Sequence, residues 1–213
     1  MADISHIEGE IFMSALINKD WRSPVWPSFS HVPIVILVDK SHSMHGDGIK
    51  EINQELDDLF KMITEDYCLL EHIDLMVASF SDSIQSEIGF GPVTEYSYIS
   101  TSAKSGTSLN EAILVGLDAI AERKVQYREM GISYYRPWLI VLSDWKASDI
   151  EIEEKAIERV RSEIRRKRLF FVPIMIGDSE NDVKARMYYP EENTKKPLVN
   201  ANRLSEVFSR LIK

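Results

Sequence analysis

VILVDKSHSM (residues 35–44) is the stretch on which the fold turns. Four apolar residues run straight into Asp39, and hydroxyls follow at alternate positions, Ser41 and Ser43. An unbroken apolar run belongs to a strand covered on both faces, the usual setting of a parallel sheet. Headed by Pro33, the segment PIVILVD (33–39) predicts a central strand. A strand of this kind delivers its last residue to the carboxyl edge of the sheet, where ligands of open α/β sheets gather.

The same grammar repeats along the chain. Ile49, Ile52, Leu56, Leu59, Phe60 and Ile63 recur at helical spacing and predict a helix over 47–66. IDLMVASF (73–80) reads as a second strand, and SIQSEIGF (83–90) alternates more weakly, as a short edge strand closing a hairpin does. SLNEAILVGLDAIAERK (108–124) is a helix. PWLIVLSD (137–144) repeats the opening pattern of proline, apolar run and aspartate. A charged helix over 150–167 has acids first and bases last, which suits its dipole. LFFVPIMIG (169–177) is a fourth buried strand, followed by a short helix near 180–188 and a final helix over about 203–212. Strands alternating with helices give an α/β fold: a mostly parallel central sheet, one antiparallel edge strand, and helices on both faces. Asp39 and Asp144 then stand on one rim of that sheet.

Between them, KSGTSLNEA (104–112) puts a glycine turn and Thr107 just before a helix. By itself, Thr107 or Ser108 reads as a helix cap. Taken together, Asp39, Ser41, Ser43, Thr107 and Asp144 are two carboxylates and three hydroxyls at one edge. Hard oxygen donors of this kind suit Mg²⁺ or Mn²⁺. Alternation along an extended loop would point residues 39, 41 and 43 to one side, with Lys40 facing away.

These three segments carry a resemblance. DKSHS (39–43) matches the DxSxS motif of von Willebrand factor A domains, SGTSL (105–109) resembles their threonine loop, and LSDWKASD (142–149) is similar to their LTDGxPTD segment. The resemblance covers residues 32–213, and it implies a Rossmann-like fold with a metal-ion-dependent adhesion site. It also implies roles: Ser41 and Ser43 bind the metal through their hydroxyls, and Thr107 binds directly in a high-affinity state. Asp39 and Asp144 bind directly or through water. An ion faced by two carboxylates is left short of a strong sixth ligand, which an Asp or Glu of another protein supplies. The tail, FVPIMIGDSEND followed by NRLSEVFSRLIK, resembles the bacterial TerY-like, tellurium-resistance-associated branch. That branch implies a stress-response or phage-defence setting.

Departures from the pattern are specific. Trp145 stands where the family has glycine, and Lys146, Ala147 and Ser148 replace x-Pro-Thr. Trp145 reads as a rim residue packing on its own loop, with an aromatic contact for a partner as the sharper option. Asp149 reads as the cap of the helix starting at 150, and Asp47 as a first-turn acid or cap. His42 and His45 flank the donors and would favour a softer ion such as Zn²⁺ only if they turned inward.

Two other functional classes remain. Aspartates at strand ends with Mg²⁺ also occur in haloacid-dehalogenase-like phosphotransferases, but Ser41 stands where their second aspartate, the general acid, is needed. No serine or cysteine is paired by spacing with His42 or His45 as an activated nucleophile. The residues therefore favour a binder over an enzyme. A metal-free structural scaffold is the third class.

Composition bounds these readings. The 213 residues carry a net charge of −9, which argues against nucleic-acid or anionic-membrane binding by the whole surface. A domain of this length buries roughly 70% of its extended-chain surface and needs no disulfide. The single cysteine, Cys68, lies in YCLL and reads as a buried small hydrophobe. No N-x-[ST] acceptor occurs, no apolar run reaches the ~20 residues of a membrane span, and the N-terminus lacks a basic-then-apolar leader. The expectation is a cytoplasmic protein of undetermined oligomeric state. Residues 1–31 form an extension rich in Trp and Phe, expected to pack on the domain or on a partner. The basic run RVRSEIRRKR (159–168) reads as a solvated helix end.

Overall fold

Six strands make one sheet in the order β3-β2-β1-β4-β5-β6. The computed structural model describes residues 30–91, 93, 106, 108–176, 182–190, 199–200, 204 and 208. Strand β1 is Val32–Asp39, β2 is Ile73–Phe80 and β3 is Ile84–Gly91. Strand β4 is Trp138–Ser143, β5 is Phe170–Met175 and β6 is Val199–Asn200. All neighbouring pairs are parallel except β2 with β3, which closes the hairpin expected of the weakly alternating segment.

Five α-helices are described: α1 Asp47–Glu65, α2 Tyr67–His72, α3 Leu109–Met130, α4 Glu153–Arg165 and α5 Asp182–Met187. The β1 run is buried on both faces because helices cover both. Val35 and Leu37 point into a core completed by Leu109, Ile113, Leu117 and Ile120 of α3 and Val160 of α4. Ile34, Ile36 and Val38 point the other way, into a core made with Ile52, Leu56, Leu59 and Ile63 of α1. Leu204 and Phe208, both helical and fully buried, join this second core. The rest of the helix expected over about 203–212 lies outside the described residues. Of the 1–31 extension only Ser30 and His31 are described; His31 pairs with Tyr134 in an isolated parallel bridge.

Strand order reverses beside β1. The chain moves from β1 to β2 on one side, then returns to place β4 on the other. Val38 is in register with Leu142, so Asp39 at the end of β1 lies level with Ser143 at the end of β4. The expected rim therefore exists, and it lies at the topological switch point.

Cys68 departs from its expected place. Asp66 caps α2, accepting N–H bonds from Cys68 (2.9 Å) and Leu69 (3.2 Å). That short helix turns Leu69 into the core and leaves Cys68 exposed. An apolar run read without its capping aspartate gives no helical phase, which is why YCLL was misleading.

Candidate metal centre

The first donors arise from one tight turn. Asp39 is fully buried, and its Oδ1 accepts the backbone N–H of Ser41 at 2.8 Å. Ser41 is extended, with φ −62° and ψ 163°, and His42–Met44 then form a single 3₁₀ turn. That turn brings Ser41 Oγ and Ser43 Oγ to 3.0 Å of each other. The hydroxyls converge as expected, but by a helical turn rather than by alternation along an extended loop. Met44 anchors the turn in the core at 2% exposure, while His42 and His45 are exposed and stack on each other with ring centres 6.2 Å apart.

The second carboxylate is tied to the first through Ser143. Its hydroxyl donates to Asp39 Oδ2 at 2.5 Å and accepts the Trp145 N–H at 2.9 Å. Asp144, 5% exposed, follows directly. Its Oδ1 accepts the Lys146 N–H at 3.1 Å, and its Oδ2 pairs with the Lys146 ammonium at 3.1 Å. Burial pushes the Asp39 carboxyl above its ordinary value; the bonds from Ser143 and Ser41 hold it down in part, and the charge of Asp144 adds to the rise. Two acidic groups thus share a poorly solvated corner, an arrangement that a cation relieves.

Thr107 lies outside the described residues, but both of its neighbours are placed. Gly106 has φ +89°, and a Cβ there would lie 2.8 Å from the Asp82 backbone, so only glycine fits. The Ser108 N–H donates to the Ser81 carbonyl at 2.6 Å. The turn after β2 therefore carries this segment, and the Lys40 N–H reaches the Phe80 carbonyl of the same strand end at 2.7 Å. The Lys40 side chain faces away from the donors and pairs with Glu87 of β3, which also accepts the Ser79 hydroxyl.

Capping differs from the sequence expectation. Ser108 stands at the N-cap of α3 without a side-chain cap bond. Asp149 supplies the cap from outside: its carboxylate accepts from the Glu111 N–H (2.8 Å) and from Asn110 Nδ2 (3.0 Å). Asp149 does not cap the 3₁₀ turn Ile150–Ile152 that follows it. The Tyr188 hydroxyl donates to Asn110 Oδ1, so the residues after α5, the start of α3 and the rim loop form one network. A sequence reading assigns a cap to the next helix in the chain; here a helix 38 residues earlier takes it. Asp47 is, as expected, a first-turn acid of α1, paired with Lys50 at 3.0 Å.

Trp145 is not a rim residue. It is fully buried, with its ring edge-on to Phe171 and Tyr188 at 6.3 and 5.6 Å, and so has no face to offer a partner. Its φ is +61°, a left-handed conformation that favours glycine. The glycine usual at this position of the resembled motif has its physical reason in that angle.

The spacing of the two serine hydroxyls suits a hard divalent ion. Adjacent vertices of an octahedron with metal–oxygen bonds of about 2.0–2.1 Å lie roughly 2.8–3.0 Å apart, and the two serine oxygens are 3.0 Å apart. Among the described residues no group of three or more His, Cys, Asp or Glu is placed to hold a metal, so a softer, imidazole-rich site has no support there.

No protein-family model matches the sequence, and no curated protein is similar to it. Solved structures are similar. One is manganese-loaded TRAP protein of Plasmodium vivax, at TM-score 0.60 and 20% identity, covering 86% of this chain and 72% of that one. Another is proximal thread matrix protein 1 of the mussel byssus with a zinc-occupied MIDAS motif, at TM-score 0.55 and 14% identity. That match covers 86% of this chain but only 45% of the mussel chain. A second structure of the mussel protein matches at TM-score 0.55 and 13% identity, covering 88% of this chain and 47% of that one. The likeness shows the fold: this chain has the Rossmann-like fold of von Willebrand factor A domains.

Proposed function

We propose that the chain is a protein-interaction module whose contact is completed by a divalent cation, Mg²⁺ or Mn²⁺. Asp39, Ser41, Ser43, Thr107 and Asp144 hold the ion, and an Asp or Glu of the partner fills its remaining position. The observation that carries this is the pair of serine hydroxyls at 3.0 Å beside Asp39, at the switch point of the sheet. The manganese and zinc named for the two similar structures support a divalent ion. The ion would supply a Lewis-acidic point for a carboxylate. The chain's own residues set its place: Ser143 and the Ser41 amide orient Asp39, and the Lys146 amide orients Asp144.

A phosphotransferase role is disfavoured by the same bonds. Both Asp39 oxygens already accept hydrogen bonds from the chain, which suits an orienting ligand more than an attacking nucleophile. The resemblance of the tail motifs to TerY-like proteins supports a stress-response or phage-defence role in the cytoplasm as the setting of this proposed module. Among the described residues, no helix is long and apolar enough to cross a membrane. Pull-down with the full chain as bait, with Mg²⁺ and with chelator, tests the role. Capture that requires the metal and fails for Asp39→Ala is the expected result; capture indifferent to both contradicts it.

A further inference from the structure

Lys146 occupies the variable position of the motif, and nothing in the metal-site pattern assigns it a task. Its geometry does. The residue contacts both oxygens of Asp144: the backbone N–H donates to Oδ1 at 3.1 Å, and the ammonium lies 3.1 Å from Oδ2. These two contacts differ in kind. The backbone bond is fixed by the chain and orients the carboxylate. The ammonium sits on a flexible stem whose side chain is 61% exposed, while the Asp144 side chain is only 7% exposed. Nearby, the fully buried Asp39 is a second carboxyl of the same corner, and Lys40 is turned away toward Glu87.

We propose that Lys146 is a tethered counter-ion that competes with the divalent cation for Asp144. Without metal, its ammonium neutralises Oδ2 and keeps two buried carboxylates from facing each other uncompensated. An arriving ion must displace the ammonium, which has an open path to solvent, while the backbone bond to Oδ1 keeps the carboxylate aimed. The lysine thereby lowers the site's intrinsic affinity and raises the dependence of binding on the partner's added carboxylate. This role rests on the metal site proposed above. A half-exposed ion pair contributes modestly, up to about 1 kcal/mol, so removing the charge should tighten binding by up to roughly fivefold.

The test is a Mn²⁺ titration of the full chain, followed by calorimetry and by the rise in melting temperature. It compares wild type, Lys146→Met, which keeps the stem and loses the charge, and Lys146→Arg, which keeps a cation. Tighter binding by Lys146→Met with Lys146→Arg close to wild type is expected. Equal or weaker binding by Lys146→Met, when wild type binds, overturns the competitor role and leaves the metal site standing. Binding by Lys146→Met alone supports the role in its strongest form. If neither binds, although both melt cooperatively, the metal site itself fails and the competitor role falls with it.

Discussion

Trp145 sets two local forces against each other. A non-glycine residue at φ +61° costs on the order of 1–2 kcal/mol. Truncating a buried indole costs about 3–5 kcal/mol. Packing wins, so Trp145→Gly should destabilise the fold by roughly 2–3 kcal/mol, although it restores the residue that the backbone angle favours. Thermal melting checks this, and a variant as stable as wild type would show that the angle dominates. Asp39 shows a different balance. It is buried and its carboxyl is pushed up, so it serves a ligand better than it serves the fold. Asp39→Asn should leave a cooperative melt but erase the Mg²⁺-induced rise in melting temperature. A rise equal to that of wild type would remove Asp39 from the site.

Elements are held at the rim by contacts that skip along the chain. Asp149 joins the loop after β4 to the N-terminus of α3, whose own Ser108 makes no cap bond. Loss of such a cap costs about 1 kcal/mol, which in a chain of this size lowers melting by roughly 2–4 °C. Asp149→Ala should show that drop, and it should also weaken Mn²⁺ binding, because the segment ending at Ser108 loses its tie to the loop of Asp144. An unchanged melt would mean that solvent caps α3 equally well. Strands β1 to β5 and the helices α1 and α3 were legible from hydrophobic pattern, since β1 and β4 read as buried runs and α1 as a clean stripe, and α4 from its order of charges; the two-residue β6, Val199–Asn200, was not, because so short a segment carries no period. The rim positions of Asp39 and Asp144 were legible too, because Asp39 ends one apolar run and Asp144 stands one serine beyond another. Less legible were features set by partners distant in sequence. The outward turn of Cys68, the capping of α3 by Asp149 and the burial of Trp145 depend on which surfaces meet, and local spacing does not encode that. The 3₁₀ turn at His42–Met44 was missed because two serines at alternate positions suit a strand as well as a turn.

Across the whole molecule, burial determines the response to alkali. Tyr127, Tyr188 and Tyr189 all have phenols pushed above their ordinary value, mainly by desolvation. The unfolded chain releases those protons near pH 10, whereas the folded chain retains them. Stability is therefore full below about pH 10 and falls as the pH rises through the folded values. Phenolate absorbance should rise in two phases, the later one coinciding with loss of structure; a single smooth titration of a still-folded chain would contradict it. At the same scale, the sheet order places β1 and β4 side by side, so that Asp39 and Ser143 meet although 104 residues separate them. The proposed function requires that this corner hold one divalent ion. Crystals of the full chain grown with Mn²⁺ and measured at the manganese absorption edge test it most directly. One strong anomalous peak is expected within bonding distance of Ser41 Oγ and Ser43 Oγ and adjacent to Thr107, Asp39 and Asp144. A corner without such a peak at saturating Mn²⁺, or a peak bound elsewhere on the chain instead, would contradict it.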